Sequence, residues 1–228
     1  MLNNELEGYA HAVSHDLKGP LASMLAATGT LRMLLGVRPE EWDLDHIEEM
    51  FKVIESNVEK SSALVEELLE LAEAGQRPSE PWQVKVSEVV ARIIEDQSPL
   101  ISDRNVKVRL DDDLGTVRAS STHIHQLFSN LIDNAIKYND KSEPVITISY
   151  LGEEPHGTHR YLVRDNGPGI EPGELESIFL PFHSGKDGDT GIGLSTVEKI
   201  VRVYNGEIRA FNDGGACFEF TITDIGAG

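Results

Sequence analysis

The amino-acid sequence predicts a protein of the α + α/β class: a helical hairpin that dimerises into a four-helix bundle, followed by an α/β sandwich with a mixed sheet. Three observations predict it. Helical periodicity runs without a strand signal through residues 1–75. A Gly/Pro-rich break, Gly75-Gln76-Arg77-Pro78-Ser79-Glu80-Pro81, then stops any helix and marks a linker at 76–82. From 83 to 228, short strand-like runs alternate with amphipathic helices. A chain of 228 residues has room for two small domains of this kind.

In the first helix, stepping about 100° per residue from Leu6 gathers Tyr9, Ala10, Val13, Leu17, Leu21, Met24, Thr28, Leu31 and Leu35 into one stripe. Gly36-Val37-Arg38-Pro39 ends that helix, and Asp43 is placed to cap the next. There Ile47, Phe51, Ile54, Val58, Ser61, Val65, Leu68 and Ala72 step by alternating fours and threes, a heptad seam broken only by Ser61. A single hairpin has no closed core, so a homodimer is expected. Beyond the linker, the expected strands are Val84–Val86, Val106–Leu110, Val145–Tyr150, Tyr161–Arg164, Glu207–Phe211 and Phe218–Thr223. The expected helices are Ser87–Ile101, Thr122–Tyr138 and Gly193–Tyr204.

Composition narrows the function. Apolar residues make up 39% and charged residues 26%, which suits a packed core. The net charge of −19 argues against nucleic acid or an anionic membrane surface as partner, because both select basic patches. Cys217 is the single cysteine, so neither an intrachain disulfide nor a cysteine-built zinc site is expected, and a cytoplasmic chain is compatible. Leu21–Leu35, the most apolar stretch, is interrupted by Arg32 and falls short of the roughly 20 residues that span a bilayer. No basic-then-apolar leader opens the chain, so no membrane segment is expected in it, although a longer parent protein could be anchored elsewhere.

The chemistry concentrates in a few segments. On the 122–138 helix, Gln126, Asn130, Asn134 and Lys137 share a face away from the apolar stripe of Ile124, Leu127, Phe128, Leu131 and Ala135. Asn130 and Asn134, one turn apart, can offer amide oxygens to a hard cation such as Mg²⁺, and Lys137 can meet a phosphate; the plainer reading is a solvated polar face. Asp165-Asn166-Gly167-Pro168-Gly169-Ile170 follows a strand, where a carboxylate can accept from an exocyclic amine and the glycines admit a base close to the backbone. Thr190-Gly191-Ile192-Gly193-Leu194-Ser195 opens a helix, whose free N–H groups can hold phosphate. Between the two lies a glycine-rich segment, Phe179 to Asp189, suited to a lid, with Lys186 within it as a further phosphate contact. The pairs His11/His15 and His123/His125 have metal-ligand spacing but no third ligand nearby.

The first helix carries Ser14-His15-Asp16-Leu17-Lys18-Gly19-Pro20-Leu21. His15 falls about 180° around the helix from Leu6, opposite the apolar stripe. Neutral imidazole is a nucleophile near neutral pH, and the adjacent Asp16 can orient it or take its proton. Pro20 removes a backbone hydrogen bond and is expected to bend this helix.

These segments together resemble the catalytic core of a bacterial two-component sensor histidine kinase. Ser14 to Leu21 is similar to the phosphoacceptor H box, Asn130-Leu131-Ile132-Asp133-Asn134-Ala135-Ile136-Lys137-Tyr138 to the N box, and Asp165–Gly169 to the first glycine box. Phe179–Phe182 resembles the F box and Gly191–Gly193 the second glycine box, all in the family's order and spacing. The resemblance implies that 1–75 is a dimerisation and histidine-phosphotransfer hairpin and 83–228 an ATP-binding domain of the Bergerat type. It implies that Mg²⁺-ATP phosphorylates His15 with Asp16 as base or orienter, and that the phosphoryl group then passes to an aspartate on a response regulator. Asn130 and Asn134 would organise Mg²⁺, Lys137 would contact phosphate, Tyr138 would lie against the nucleotide and Asp165 would recognise the adenine amino group. Gly167, Gly169, Lys186, Gly191, Gly193 and Leu194 complete the expected ATP contacts.

The sequence departs from the family pattern in two places: Gly19 stands where a Thr or Asn commonly orients water for dephosphorylating the partner, and the lid from His183 to Asp189 is short. Two other readings are an ATP-hydrolysing Bergerat machine, which places a water-activating Glu where this chain has Asn130, and a non-catalytic dimeric adaptor.

Overall fold

A computed structural model describes residues 2–39, 42–78, 81–183 and 190–226, with the side chains of residues 2–12, 15 and 16 excepted. The chain divides into two compact units, Met1–Leu69 and Glu70–Gly228.

The first unit is a hairpin of α1 (Leu2–Leu34) and α2 (Leu44–Ala74), each about 50 Å long at 1.5 Å per residue. Asp43 caps α2 as expected, its Oδ1 accepting from His46 N at 3.1 Å. Helix α1 continues through Pro20. The expected seams hold only in part. On α1, Leu31 is buried and Leu17 and Met24 half-buried, and Ala27 joins them, while Leu21 (56%) and Leu35 (43%) are exposed. On α2, Ile47 and Leu64 are buried and Ile54, Ser61 and Leu68 half-buried, whereas Phe51, Val58 and Val65 stand exposed at 46–47%. The reason is that α2 carries two apolar stripes, one facing α1 and one facing away, and periodicity merges them. No helix among the described residues is long and apolar enough to cross a membrane.

The second unit begins within the last turn of α2, where Ala74 is fully buried in its core and Leu71 O accepts from Lys199 Nζ at 3.4 Å. It contains β1 (Trp82–Lys85), α3 (Val86–Asp96), α4 (Ser98–Asp103), β2 (Lys107–Leu110), β3 (Thr116–Ala119), α5 (Ser121–Lys137), β4 (Val145–Glu154), β5 (Thr158–Asp165), α6 (Gly193–Val203), β6 (Ile208–Asn212) and β7 (Ala216–Thr223). Five strands form a mixed sheet in the order β2-β4-β5-β7-β6, parallel only between β2 and β4. Strand β3, which the sequence did not announce, pairs antiparallel with β1 in a separate two-stranded sheet. Val86 starts α3 instead of ending a strand, and the expected 87–101 helix divides at Gln97, because Pro99 has no N–H to extend it.

Helices α5 and α6 cover one face of the five-stranded sheet, and α3 packs against α5 and β1. Their apolar stripes (Val86, Val90 and Ile93; Ile124, Leu127, Phe128 and Leu131; Val197, Ile200 and Val201) are buried. Phe128 meets Tyr161 and Phe220 edge-on, each at 5.6 Å between ring centroids, and Tyr161 stacks on Phe220 at 5.3 Å. This packing sets the C-terminal ends of α5 and β5 and the start of α6 at one end of the sandwich.

Candidate active site

Helix α5 presents the amides. Ser120 caps it, accepting from His123 N at 3.4 Å. Asn130 Nδ2 donates to Gln126 O at 2.8 Å, which turns the amide oxygen away toward the start of α6. There a Cβ on Gly193 would lie 2.6 Å from Asn130 Oδ1, so only glycine lets the two elements come this close. Asn134 is half-buried one turn on, and Lys137 and Tyr138 at the helix end are exposed, with Lys137 Nζ 5.6 Å from the Tyr138 ring centroid. Gln126 Oε1, one turn before Asn130, is buried with no partner among the described residues. Unpartnered amide oxygens beside Asn130 are the donor chemistry a hard cation takes.

Asp165 ends β5 and is buried. Its Oδ1 accepts from Gly167 N at 2.7 Å and Ala216 N at 3.1 Å; among the described residues Oδ2 takes no hydrogen bond. Burial holds this carboxyl above the usual carboxylate range, opposed by those two N–H donors and by Arg164. Gly167 is tight because a Cβ there would lie 3.0 Å from Asp165 Oδ1 and 3.3 Å from Asn139 Cα.

The second glycine turn meets the 179–183 segment backbone to backbone. Phe182 N donates to Gly191 O at 3.0 Å, and a Cβ on Gly191, whose φ is +66°, would lie 2.7 Å from the His183 backbone. Phe179 anchors this segment, buried edge-on to Phe218 at 6.4 Å. No side chain caps the start of α6, so its first-turn N–H groups are the kind of donors that hold an anion. Leu194 is half-buried against the core.

The fold thus brings Asn130 together with Gly193, Asp165 with Gly167, and Gly191 with the 179–183 segment. Lys186 lies outside the described residues, as do the side chains of His15 and Asp16, whose backbone is helical in α1. His123 is a core residue, buried with Nδ1 3.1 Å from Tyr204 Oη, and burial lowers its pKa.

Supporting residues escaped the sequence reading because their partners are remote along the chain. Arg104 Nη1 donates to Ile136 O and Lys137 O at 3.0 and 3.2 Å, closing the C-terminus of α5 with a positive charge. Asn166 Oδ1 accepts from Asn139 Nδ2 at 2.9 Å and Val145 N at 2.8 Å, tying the first glycine loop to the segment after α5. Gly215 packs so close that a Cβ would lie 2.2 Å from Asp165 O; the Gly214-Gly215 pair was the one signal in the sequence that this turn touches something.

Comparisons with known proteins agree with this geometry. Residues 6–77 match the His Kinase A (phospho-acceptor) domain, and residues 119–224 match the histidine kinase-, DNA gyrase B-, and HSP90-like ATPase family. The methanogenesis regulatory histidine kinase FilI of Methanothrix harundinacea is 32% identical over 227 residues, covering 96% of this chain and 25% of its own length. The chain therefore spans a quarter of the length of that relative. The solved structure of the Acinetobacter baumannii histidine kinase AdeS superposes with a TM-score of 0.70 at 25% identity, covering 92% of this chain and 97% of AdeS. The histidine kinase ThkA, solved in complex with the response regulator TrrA, superposes with a TM-score of 0.68 at 24% identity, covering 95% of this chain and 61% of that one. With a phosphoacceptor hairpin and an ATPase-type sandwich in this order, the chain belongs to the sensor histidine kinases, as a catalytic core whose second domain is of the ATP-binding type.

Proposed function

We propose that the chain transfers the γ-phosphoryl group of ATP to His15 and then to an aspartate of a response regulator. The observation that carries this is the convergence at one end of the sandwich. Asp165 offers Oδ2 with Oδ1 already held, Asn130 aims its amide oxygen at the start of α6, and that helix start has no side-chain cap. In this reading Asp165 accepts from the adenine amino group, Tyr138 lies along the base, and Lys137, Lys186 and the α6 N–H groups meet phosphate. Gly167, Gly169, Gly191, Gly193 and Leu194 leave room for the nucleotide. Asn130 and Asn134 would hold Mg²⁺, which when bound neutralises phosphate charge in a chain of net charge −19. A ring nitrogen of His15 attacks the γ-phosphorus, the bond from phosphorus to the β–γ bridging oxygen breaks, and ADP leaves with that electron pair. Asp16 orients the imidazole and takes its proton. An aspartate oxygen of the regulator then attacks the phosphorus, and the electron pair returns to the ring. Positioning and charge neutralisation supply most of the rate.

An amide at position 130 cannot deprotonate water, which favours transfer over simple hydrolysis. The exposed Phe51, Val58 and Val65 support pairing of two hairpins into a four-helix bundle, and a cytoplasmic setting suits the free thiol of Cys217. The response regulator as partner is supported by the ThkA complex. Incubation with γ-labelled ATP tests the reading. The parent chain should acquire an acid-labile, base-stable phosphate, and His15→Gln should remain unlabelled while still binding ATP. Full labelling of His15→Gln would overturn it.

A further inference from the structure

The β6–β7 hairpin touches the Asp165–Ile170 loop at both ends, through Ala216 and Asn212, neither of which belongs to a motif named above. At one end Ala216 N donates to Asp165 Oδ1 at 3.1 Å. At the other, the Asn212 carboxamide makes two bonds to one residue: Nδ2 donates to Ile170 O at 2.6 Å, and Oδ1 accepts from Ile170 N at 2.8 Å. Asn212 and Ala216 are themselves cross-strand partners. The amide side chain thus pairs with Ile170 as another strand would, and the loop from Asp165 to Ile170 is strung between two adjacent points of one rigid hairpin. Arg164, just before the loop, is tied to the same turn by an ion pair to Asp213 at 3.0 Å. The pairing also explains the second glycine of the motif. With φ +80°, Gly169 passes so close that a Cβ would lie 2.7 Å from Asn212 Oδ1, an atom pinned by its own hydrogen bond.

We infer that Asn212 is a positioning residue for adenine recognition: by anchoring Ile170 it holds the loop so that Asp165 keeps Oδ2 aimed at the base. This rests on the proposed role of Asp165 in meeting the adenine amino group. Both polar atoms of the Asn212 carboxamide are engaged by Ile170, so its action runs through the loop. Its loss should weaken the base contact and spare the phosphate contacts at the start of α6.

The test compares ATP with inosine triphosphate, which lacks the exocyclic amine, by calorimetric titration of the whole chain. Asn212→Ala should bind ATP about five- to tenfold more weakly, the effect of losing two neutral hydrogen bonds. Its affinity for inosine triphosphate should change little, so the preference for ATP shrinks by the same factor. Asn212 is exposed on an edge strand, so the fold should survive; Asn212→Asp, which keeps the acceptor but sets a carboxylate oxygen against Ile170 O, should shift the preference in the same direction. Amide hydrogen exchange at Ile170 should quicken in Asn212→Ala, which removes the acceptor of its N–H. Asp165→Asn is the control that separates the two claims. If it loses the ATP preference while both Asn212 variants retain the parent preference, the Asn212 assignment is overturned alone. If Asp165→Asn also retains the preference, the adenine role of Asp165 fails and this inference with it.

Discussion

Asp165 illustrates a function bought with stability at a single residue. A carboxyl that burial holds above its usual range binds its proton more tightly in the folded chain than in the unfolded one. The sign follows: its contribution to stability is greatest when protonated and declines as pH rises through the ordinary carboxylate range into the raised one. Recognition of an amino group needs the opposite, an ionised acceptor. As pH rises above about 4, the ordinary aspartate value, the ligand-free chain should therefore lose stability from this residue while ATP affinity rises. Asp133 shifts in the same direction, desolvation raising its pKa against hydrogen bonds from Ser129 and Gln97, but it stands exposed and solvent screening keeps its effect on stability small. Comparison of Asp165→Asn with the parent isolates the Asp165 part. Asparagine keeps an oxygen for Gly167 N and Ala216 N but presents an NH₂ in place of Oδ2. The variant should melt a few degrees higher at neutral pH, show a flatter pH profile, and bind ATP no more tightly than inosine triphosphate, as thermal melts and titration calorimetry would record.

At the scale of elements, the α5–α6 contact is the most exacting. Alanine at the first position of a helix ordinarily favours it by up to about 1 kcal/mol over glycine. Here the added methyl would meet Asn130 Oδ1, and Asn130 can give way only by losing its bond to Gln126 O. Gly193→Ala should consequently leave the melting temperature near that of the parent and lower the rate of ATP-dependent labelling at least tenfold, measured at saturating acceptor and limiting ATP. Equal labelling rates would show that Asn130 tolerates displacement. Helix α2 shows a different logic. Asn57 and Ser61 sit within its inner face, yet each satisfies itself against the helix, Asn57 Nδ2 on Val53 O at 2.6 Å and Ser61 Oγ on Asn57 O at 2.8 Å.

For the whole molecule, the outward stripe of α2 and the exposed Leu21 and Leu25 of α1 are apolar surface that a single hairpin cannot bury. Full burial of one such side chain contributes about 1.5–3 kcal/mol, and a two-fold interface counts each residue twice. Val58→Glu should therefore convert a dimer into a monomer in light scattering at micromolar concentration, with the α/β unit still binding ATP. A Val58→Glu chain that remains dimeric would rule out this stripe as the contact.

Much of this protein is written locally. The Gly75–Pro81 break, the Asp43 cap, the period of α5 and the two glycine turns each depend on neighbours within a few residues, so hairpin, mixed-sheet sandwich and nucleotide-type loops were legible from the chain alone. What stayed hidden depends on partners far away in sequence. Thr116–Ala119 is a strand because Trp82–Lys85 lies beside it, and only neighbouring helices determine which of two apolar stripes on α2 is covered. Residues at 104, 139 and 212 look like ordinary surface polar positions until folding sets their amide and guanidinium groups against Lys137, Asn166 and Ile170. The kinds of atom that meet a nucleotide are a property of the sequence; the directions in which those atoms point are settled by hydrogen bonds that span the fold, and only the tertiary structure contains them.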